Sequence, residues 1–208
     1  MSTKIKYFFE QSWLLMVSSV VFGLLLAVTD AAWKPRIEQN VVNRFTSLAG
    51  GLLTEAERFE PIAQTISIDI KGKAVPVEVK RGLNAAGQTV GWAFVCEGSG
   101  FADKIRLVVA TDAAFTKMAG FGVLFSNETP GFGDKINITP ANGGFYQPQF
   151  IGAPVGTLTL TKTGDPAVID DHIVAISGAT VTSQAVVDTL NAWLVPIREK
   201  MAAEGLLK

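Results

Sequence analysis

Ile173-Val174-Ala175-Ile176-Ser177-Gly178-Ala179-Thr180-Val181-Thr182-Ser183 changes texture at its middle. The first four residues form a short apolar run rich in β-branched side chains, which reads as a strand. Beyond the stretch, Val186, Val187, Leu190 and Leu194 recur at helical spacing, so residues 184–194 read as a helix. Small and hydroxyl residues fill the strand-to-helix turn, with Ser177 as the expected N-cap. A helix start carries unpaired N–H groups and the positive end of the dipole, which suits an anion and above all a phosphate. Gly178 and Ala179 leave room for a bulky group to approach the backbone. Nearly every helix has such an entrance and few bind anything, so the turn alone names no ligand.

Upstream, the hydrophobic period is two. Ile66, Ile68 and Ile70 alternate with polar residues, and Val75, Val77 and Val79 do the same, with Lys71-Gly72-Lys73 as the joining hairpin turn. Residues 89–96 and 104–110 read as further strands around a glycine-containing turn at 97–103. Residues 120–127 are apolar and lead into Glu128-Thr129-Pro130-Gly131-Phe132-Gly133. Pro130-Gly131 is a turn signal in its own right; Glu128 and Thr129 are harder to explain as turn residues. Residues 145–150 and 156–162 read as the remaining strands, and Pro196 is expected to end or kink the last helix near Leu194, with residues 197–204 as its resumption.

Helix, a run of strands, then helix argues for an α+β fold, with a mostly antiparallel sheet and helices on one side. There is no repeating βα alternation and no Gly-x-Gly-x-x-Gly opening a helix, so a Rossmann fold is excluded.

The first 32 residues have a different character. Residues 11–29 carry no charge, and ten of them are strongly apolar, from Leu14 to Val28. At the helix-centre scale these contribute about −3 to −6 kcal/mol toward insertion. The length matches one crossing of a ~30 Å hydrocarbon core, and Trp13 and Trp33 bracket it as interfacial anchors do. A cleaved secretory signal is the rival reading, but signal cores are shorter. We therefore expect a membrane anchor over residues 1–32 and one domain over 33–208. That domain opens with a helix, after Pro35, that carries Ile37, Val41, Val42, Phe45 and Leu48 and ends at Gly50-Gly51.

The chain has 208 residues, 48% hydrophobic and 18% charged, with a net charge of −1. The mean hydropathy is +0.31, part of it from the N-terminal segment. So balanced a charge leaves no electrostatic footprint for nucleic acid. The single cysteine, Cys96, lies in an apolar run; no internal disulfide or multi-cysteine metal centre can form, and it reads as a small buried hydrophobe. His172 is the only histidine, placed near the turn, where it could contact a ligand but reads first as a solvated loop residue. No residue stands out as a general base or nucleophile for turnover on a free substrate.

Ser177-Gly178-Ala179-Thr180 with Val181-Thr182-Ser183 behind it resembles the attachment motif of covalent flavoproteins of the FMN-binding domain family. Glu128-Thr129-Pro130-Gly131-Phe132-Gly133 resembles a second segment of that family, which lies along the flavin; Phe132 replaces the usual leucine, and Asn127 stands where a histidine is common. Val174 occupies a position where the family usually has aspartate, with Asp170 and Asp171 upstream. Gly98-Ser99-Gly100-Phe101 resembles the family's glycine-rich loop with an aromatic. The chain as a whole is similar to the G subunits of Rnf complexes, which are membrane-bound ion-translocating ferredoxin:NAD oxidoreductases.

The resemblance implies FMN joined to the side-chain oxygen of Thr180 through a phosphoester. Ser177, Gly178 and Ala179 would shape the phosphate turn, with Thr182 as a hydrogen-bond partner, and Glu128, Thr129 and Gly131 would line the ring. It implies a flavin-attaching transferase during maturation and other membrane subunits of the Rnf complex as partners. It also implies an electron-transfer role and a single-pass position in the inner membrane, with the flavin domain on the extracytoplasmic side. Three other readings stay open: the C subunit of sodium-translocating NADH:quinone reductase, a secreted FMN-binding reductase module, and an anchored adaptor whose flavin motif is vestigial.

Overall fold

The computed structural model describes residues 2–70 and 72–207; side chains at 2–6, 8 and 9 fall outside the description, as does Lys71 of the expected hairpin turn. Two compact units are present, Met1–Asn43 and Arg44–Lys208. A helix that begins in the first unit runs on into the second.

That helix, α1, is continuous over Ser2–Leu52 with Pro35 inside it. A fresh helix after Pro35 was the expectation. Proline removes only one backbone bond from the ladder, and here the helix continues through it. Residues 10–52 contain a stretch with a mean hydropathy of 2.1 and no buried side chains, long and apolar enough to cross a membrane.

The second unit is built on a five-stranded antiparallel sheet in the order β1-β4-β5-β6-β7. These strands are β1 (Arg58–Pro61), β4 (Lys80–Leu83), β5 (Thr89–Ser99), β6 (Lys104–Asp112) and β7 (Met118–Phe125). Between β1 and β4 runs the hairpin β2 (Ile66–Ile70) and β3 (Lys73–Val77), a separate antiparallel pair with Ile68 opposite Val75. The alternation legible in the sequence is real here, since Ile66, Ile68 and Val77 are buried. β8 (Thr159–Thr161) and β9 (His172–Val174) form a short parallel pair. The final helix is α2 (Thr180–Ala203).

The sheet is covered on both faces, not one. Ala93, Val108, Ala110 and Leu124 meet Phe45, Ala49 and Leu53 from the end of α1 on one face. Trp92, Phe94, Leu107, Val109 and Phe121 meet α2, through Val186, Val187, Leu190 and Leu194, on the other. Adjacent residues of β5 and β6 thus point into two different cores, which makes those strands look continuously apolar.

Two further expectations are corrected. Residues 145–150 are not a strand; Gln147–Phe150 is a 3₁₀ turn with Pro148 in its first positions. Tyr146 and Phe150, four residues apart, both pack against Phe121, at ring-centroid distances of 6.3 and 4.9 Å. Their own ring centroids are 5.3 Å apart; in a strand residues four apart share a face but stand about 13 Å from each other, so the contact requires a coiled backbone. Likewise α2 does not stop at Pro196. Leu194, Ile197 and Met201, on either side of it, are fully buried, and that packing outweighs the loss of one backbone bond.

Candidate functional site

β9 ends at Val174, and residues 175–179 carry the chain into α2. Val174 is held by Gln149, a buried side chain that replaces a neighbouring strand: it accepts the Val174 N–H at 2.7 Å and donates to the Val174 carbonyl at 3.1 Å. The turn is then closed by Ser183. Its hydroxyl accepts the Ile176 N–H at 3.1 Å and donates to the Ala179 carbonyl at 2.9 Å. Tyr146 adds a bond from its hydroxyl to the Ser183 carbonyl at 2.8 Å; burial pushes its phenol pKa well above the usual range.

Ser177 is therefore not the N-cap. The capping position belongs to Ala179, and no side chain caps the helix. Ser183 reaches back from inside the first turn instead and leaves the entrance itself open. Gly178 sits at φ +79°, in the left-handed region that favours glycine.

The hydroxyls of this entrance have different fates. Ser183 is fully committed, and Thr182 donates to Glu128 Oε2 at 2.6 Å in a buried bond. Thr180 is half-buried, and its hydroxyl has no hydrogen-bond partner among the described residues. Ser177 is exposed.

The Glu128–Gly133 segment lies against this entrance, although 43 residues separate Gly133 from Ser177. Glu128 is 5% exposed. Its Oε1 accepts the Ala102 N–H at 3.1 Å, so both carboxylate oxygens are occupied within the protein. The carboxylate fits only because Gly100 and Gly133 flank it. A Cβ on Gly133 would stand 2.6 Å from both Glu128 Oε2 and Thr182 Oγ1, and one on Gly100 would overlap Glu128 Oε1. Thr129 is exposed, and its carbonyl accepts the N–H groups of Phe132 and Asp134 at 3.2 and 3.3 Å, so it does close a turn. Gly131 is exposed at φ +79°.

Two clefts flank Thr180. One, of about 480 Å³, runs between the Glu128–Gly133 turn and residues 178–182, with Phe101 and Phe132 at its rim. The other, of about 720 Å³, runs between residues 97–100 and α2, with Lys104, Gln184 and Asp188 on its walls. His172 lines neither; it is exposed in β9, 3.0 Å from Asp171. Cys96 is fully buried, and burial pushes its thiol pKa well above the ordinary value.

This arrangement can be set beside known proteins. Residues 100–195 match the family model described as an FMN-binding domain. The chain is 32% identical over 178 residues to the G subunit of the ion-translocating oxidoreductase complex of Methanosarcina acetivorans, covering 86% of this chain and 88% of that one. The chain belongs to this family of G subunits. Another member, the G subunit of the Na(+)-translocating ferredoxin:NAD(+) oxidoreductase complex of Acetobacterium woodii, is 28% identical over 198 residues, with 89% of each chain covered. Among solved structures, Shewanella oneidensis NqrC superposes with a TM-score of 0.55 at 22% identity, covering 72% of this chain and 73% of that one. That likeness speaks to the fold alone. Both clefts' walls around Thr180 fall largely within the segment matched by the FMN-binding domain.

The residues present fit an FMN group. Both clefts have volumes in the range of small-molecule sites, about 300–1,000 Å³. The uncapped helix start offers N–H groups to a phosphate, and the Thr180 hydroxyl beside them has no partner among the described residues. Sequence reasoning missed Gln149, Tyr146 and Ser183, which build the entrance. Only Ser183 left a trace, as a hydroxyl residue four positions beyond Ala179.

Proposed function

We infer that this chain carries FMN covalently on Thr180 and relays electrons within a membrane-bound, ion-translocating ferredoxin:NAD oxidoreductase. The observation that carries the reading is the free, half-buried hydroxyl of Thr180 at an uncapped helix start, in a chain of this family.

FMN, when bound, supplies one-electron steps that no side chain here can perform. The chain's own residues hold and place it. Thr180 provides the ester oxygen. Ser177, Gly178 and Ala179 form the turn, whose Ala179 N–H is spent on the Ile176 carbonyl at 2.9 Å, so the N–H groups of the first turn of α2 would hold the remaining phosphate charge. Thr129 borders the ring's side of the cleft, Gly131 shapes the same turn from outside the cleft's lining, and Glu128 fixes that cleft's inner wall through Thr182 and Ala102. A threonine hydroxyl is a weak nucleophile, so a flavin-attaching transferase performs the esterification. The first unit anchors the protein in the inner membrane by one span, with the flavin domain outside the cytoplasm and the other membrane subunits as its electron donors and acceptors. The alternative, the C subunit of the sodium-translocating quinone reductase, is supported by a likeness of fold alone.

The test is complementation. Membranes from cells lacking this chain should lose ferredoxin-dependent NAD reduction. The wild-type chain should restore it and Thr180→Val should not. Restoration by both would remove the reading.

A further inference from the structure

Residues 136–161 contain no aspartate, glutamate, lysine, arginine or histidine, although 18% of the chain is charged. Tyr146 and Gln149 hold the Thr180 turn, but the rest of the run serves no part of the flavin site. Residues 137–145 lie almost wholly at the surface. Charged side chains normally collect at such a surface. Their depletion marks the core of a protein–protein interface.

The apolar side chains agree. Phe125, Ile138, Phe145 and Ile151 are 43%, 38%, 44% and 48% exposed. Phe125 and Ile151 stand on the wall of a third cleft, of about 610 Å³, which shares no lining residue with the two beside Thr180. Ile138 lies between Asn137 and Thr139, which line the same cleft. Gly144, just before Phe145, sits so close to the Ile138 carbonyl that no Cβ would fit. Four large apolar groups thus cluster about one opening, and a contiguous patch of this kind marks a binding surface.

Among the described residues, Arg44 is the only charged one lining this cleft. Its guanidinium donates to the Val123 carbonyl at 3.3 Å and meets no carboxylate among the described residues. We propose that this face docks an extramembrane segment of another membrane subunit of the complex, which places an aromatic or aliphatic side chain in the cleft and a carboxylate on Arg44. The proposal rests on the complex membership in the reading above.

A second copy of this chain is a poor occupant. A two-fold contact presents the same patch from both sides, so it would bring together two Arg44 side chains and no cleft-lining carboxylate. An acyl chain is a poor occupant too. Ser47, Ser126, Asn137 and Thr139 spread hydrogen-bonding groups along the cleft. Peptide groups can satisfy them, whereas a hydrocarbon would bury them unpaired.

The tagged full-length chain is expressed with the other subunits, and the solubilised complex is recovered as wild type, Arg44→Glu, Ile151→Glu and Lys73→Glu. Lys73 is exposed in β3 and serves as the control. Each membrane subunit is quantified per mole of tagged chain, and the urea midpoint reports folding. Arg44→Glu and Ile151→Glu should lose one membrane subunit at least tenfold, with Lys73→Glu like wild type. A photoreactive benzoylphenylalanine at Phe125 should cross-link to an extramembrane peptide of that same subunit, one that contains a carboxylate. If a charge variant unfolds, the cross-link decides. Wild-type recovery in both variants, or a Phe125 adduct only to a second copy or to lipid, would overturn the docking site. A wild-type chain that recovers no membrane subunit would instead remove the complex reading, and the docking with it.

Discussion

Thr182 donates its hydroxyl to Glu128 Oε2 at 2.6 Å, across 54 residues of sequence, and both side chains are buried. With the Ala102 N–H on the other oxygen, one carboxylate ties together the β5–β6 loop, the turn after β7 and the first turn of α2. The two family motifs thus meet in a hydrogen bond, and the hydroxyl that Thr182 spends there is unavailable for attachment.

Replacing Thr182 by valine keeps the shape and deletes the donor, so Glu128 Oε2 is left buried without a partner. The expected cost is about 1–3 kcal/mol, seen as a lower urea midpoint for the domain. Intact mass should show the flavin still attached. An unchanged midpoint would show that the bond does not hold the cleft.

Stability should decline at alkaline pH in two steps. Burial raises the pKa of the Cys96 thiol and the Tyr146 phenol, so folding favours their protonated forms. That contribution is complete below the unfolded values, about 8.5 for cysteine and about 10 for tyrosine, and is lost as pH rises past each. Cys96→Ala should flatten the first decline and Tyr146→Phe the second. In the native protein Cys96 should resist a thiol reagent until the domain unfolds; rapid labelling would contradict its burial.

Residues 10–52 contain the membrane-spanning candidate. Alkaline carbonate should leave the protein in the membrane fraction, with residues 13–28 retained in the mature chain. Release into the supernatant, with a mature N-terminus near Ala31, would support a cleaved signal instead.

The sequence made the sheet's centre and the helix start at Thr180 readable because both announce themselves locally, by period and by small residues. It did not disclose β1 or β4, four-residue strands too short to show a period, which pair with each other across the β2–β3 hairpin. Pro35 and Pro196 looked like stops, yet both lie inside helices; what outweighs the lost bond at Pro196 is packing, which no local pattern records. Phe145 to Phe150 read as a strand because aromatics favour strands, whereas Tyr146 and Phe150 touch each other, at 5.3 Å between ring centroids, only because the backbone coils. Ser177 had the right chemistry for a cap, but Ser183 closes the turn. At the site, the motifs told which segments matter, and the structure alone showed that Glu128 faces Thr182 and that Phe132 rests on Gly178.

The most direct test is the intact mass of wild type, Thr180→Val and Thr182→Val, each co-expressed with the transferase and read with in-gel flavin fluorescence after denaturation. Thr180→Val nearly preserves shape and removes a hydroxyl that holds nothing else, so the domain should fold. Wild type and Thr182→Val should be heavier than the bare chain by FMN less one water and should fluoresce, and Thr180→Val should have the bare mass and be dark. A fluorescent Thr180→Val protein carrying the added mass would contradict the assignment.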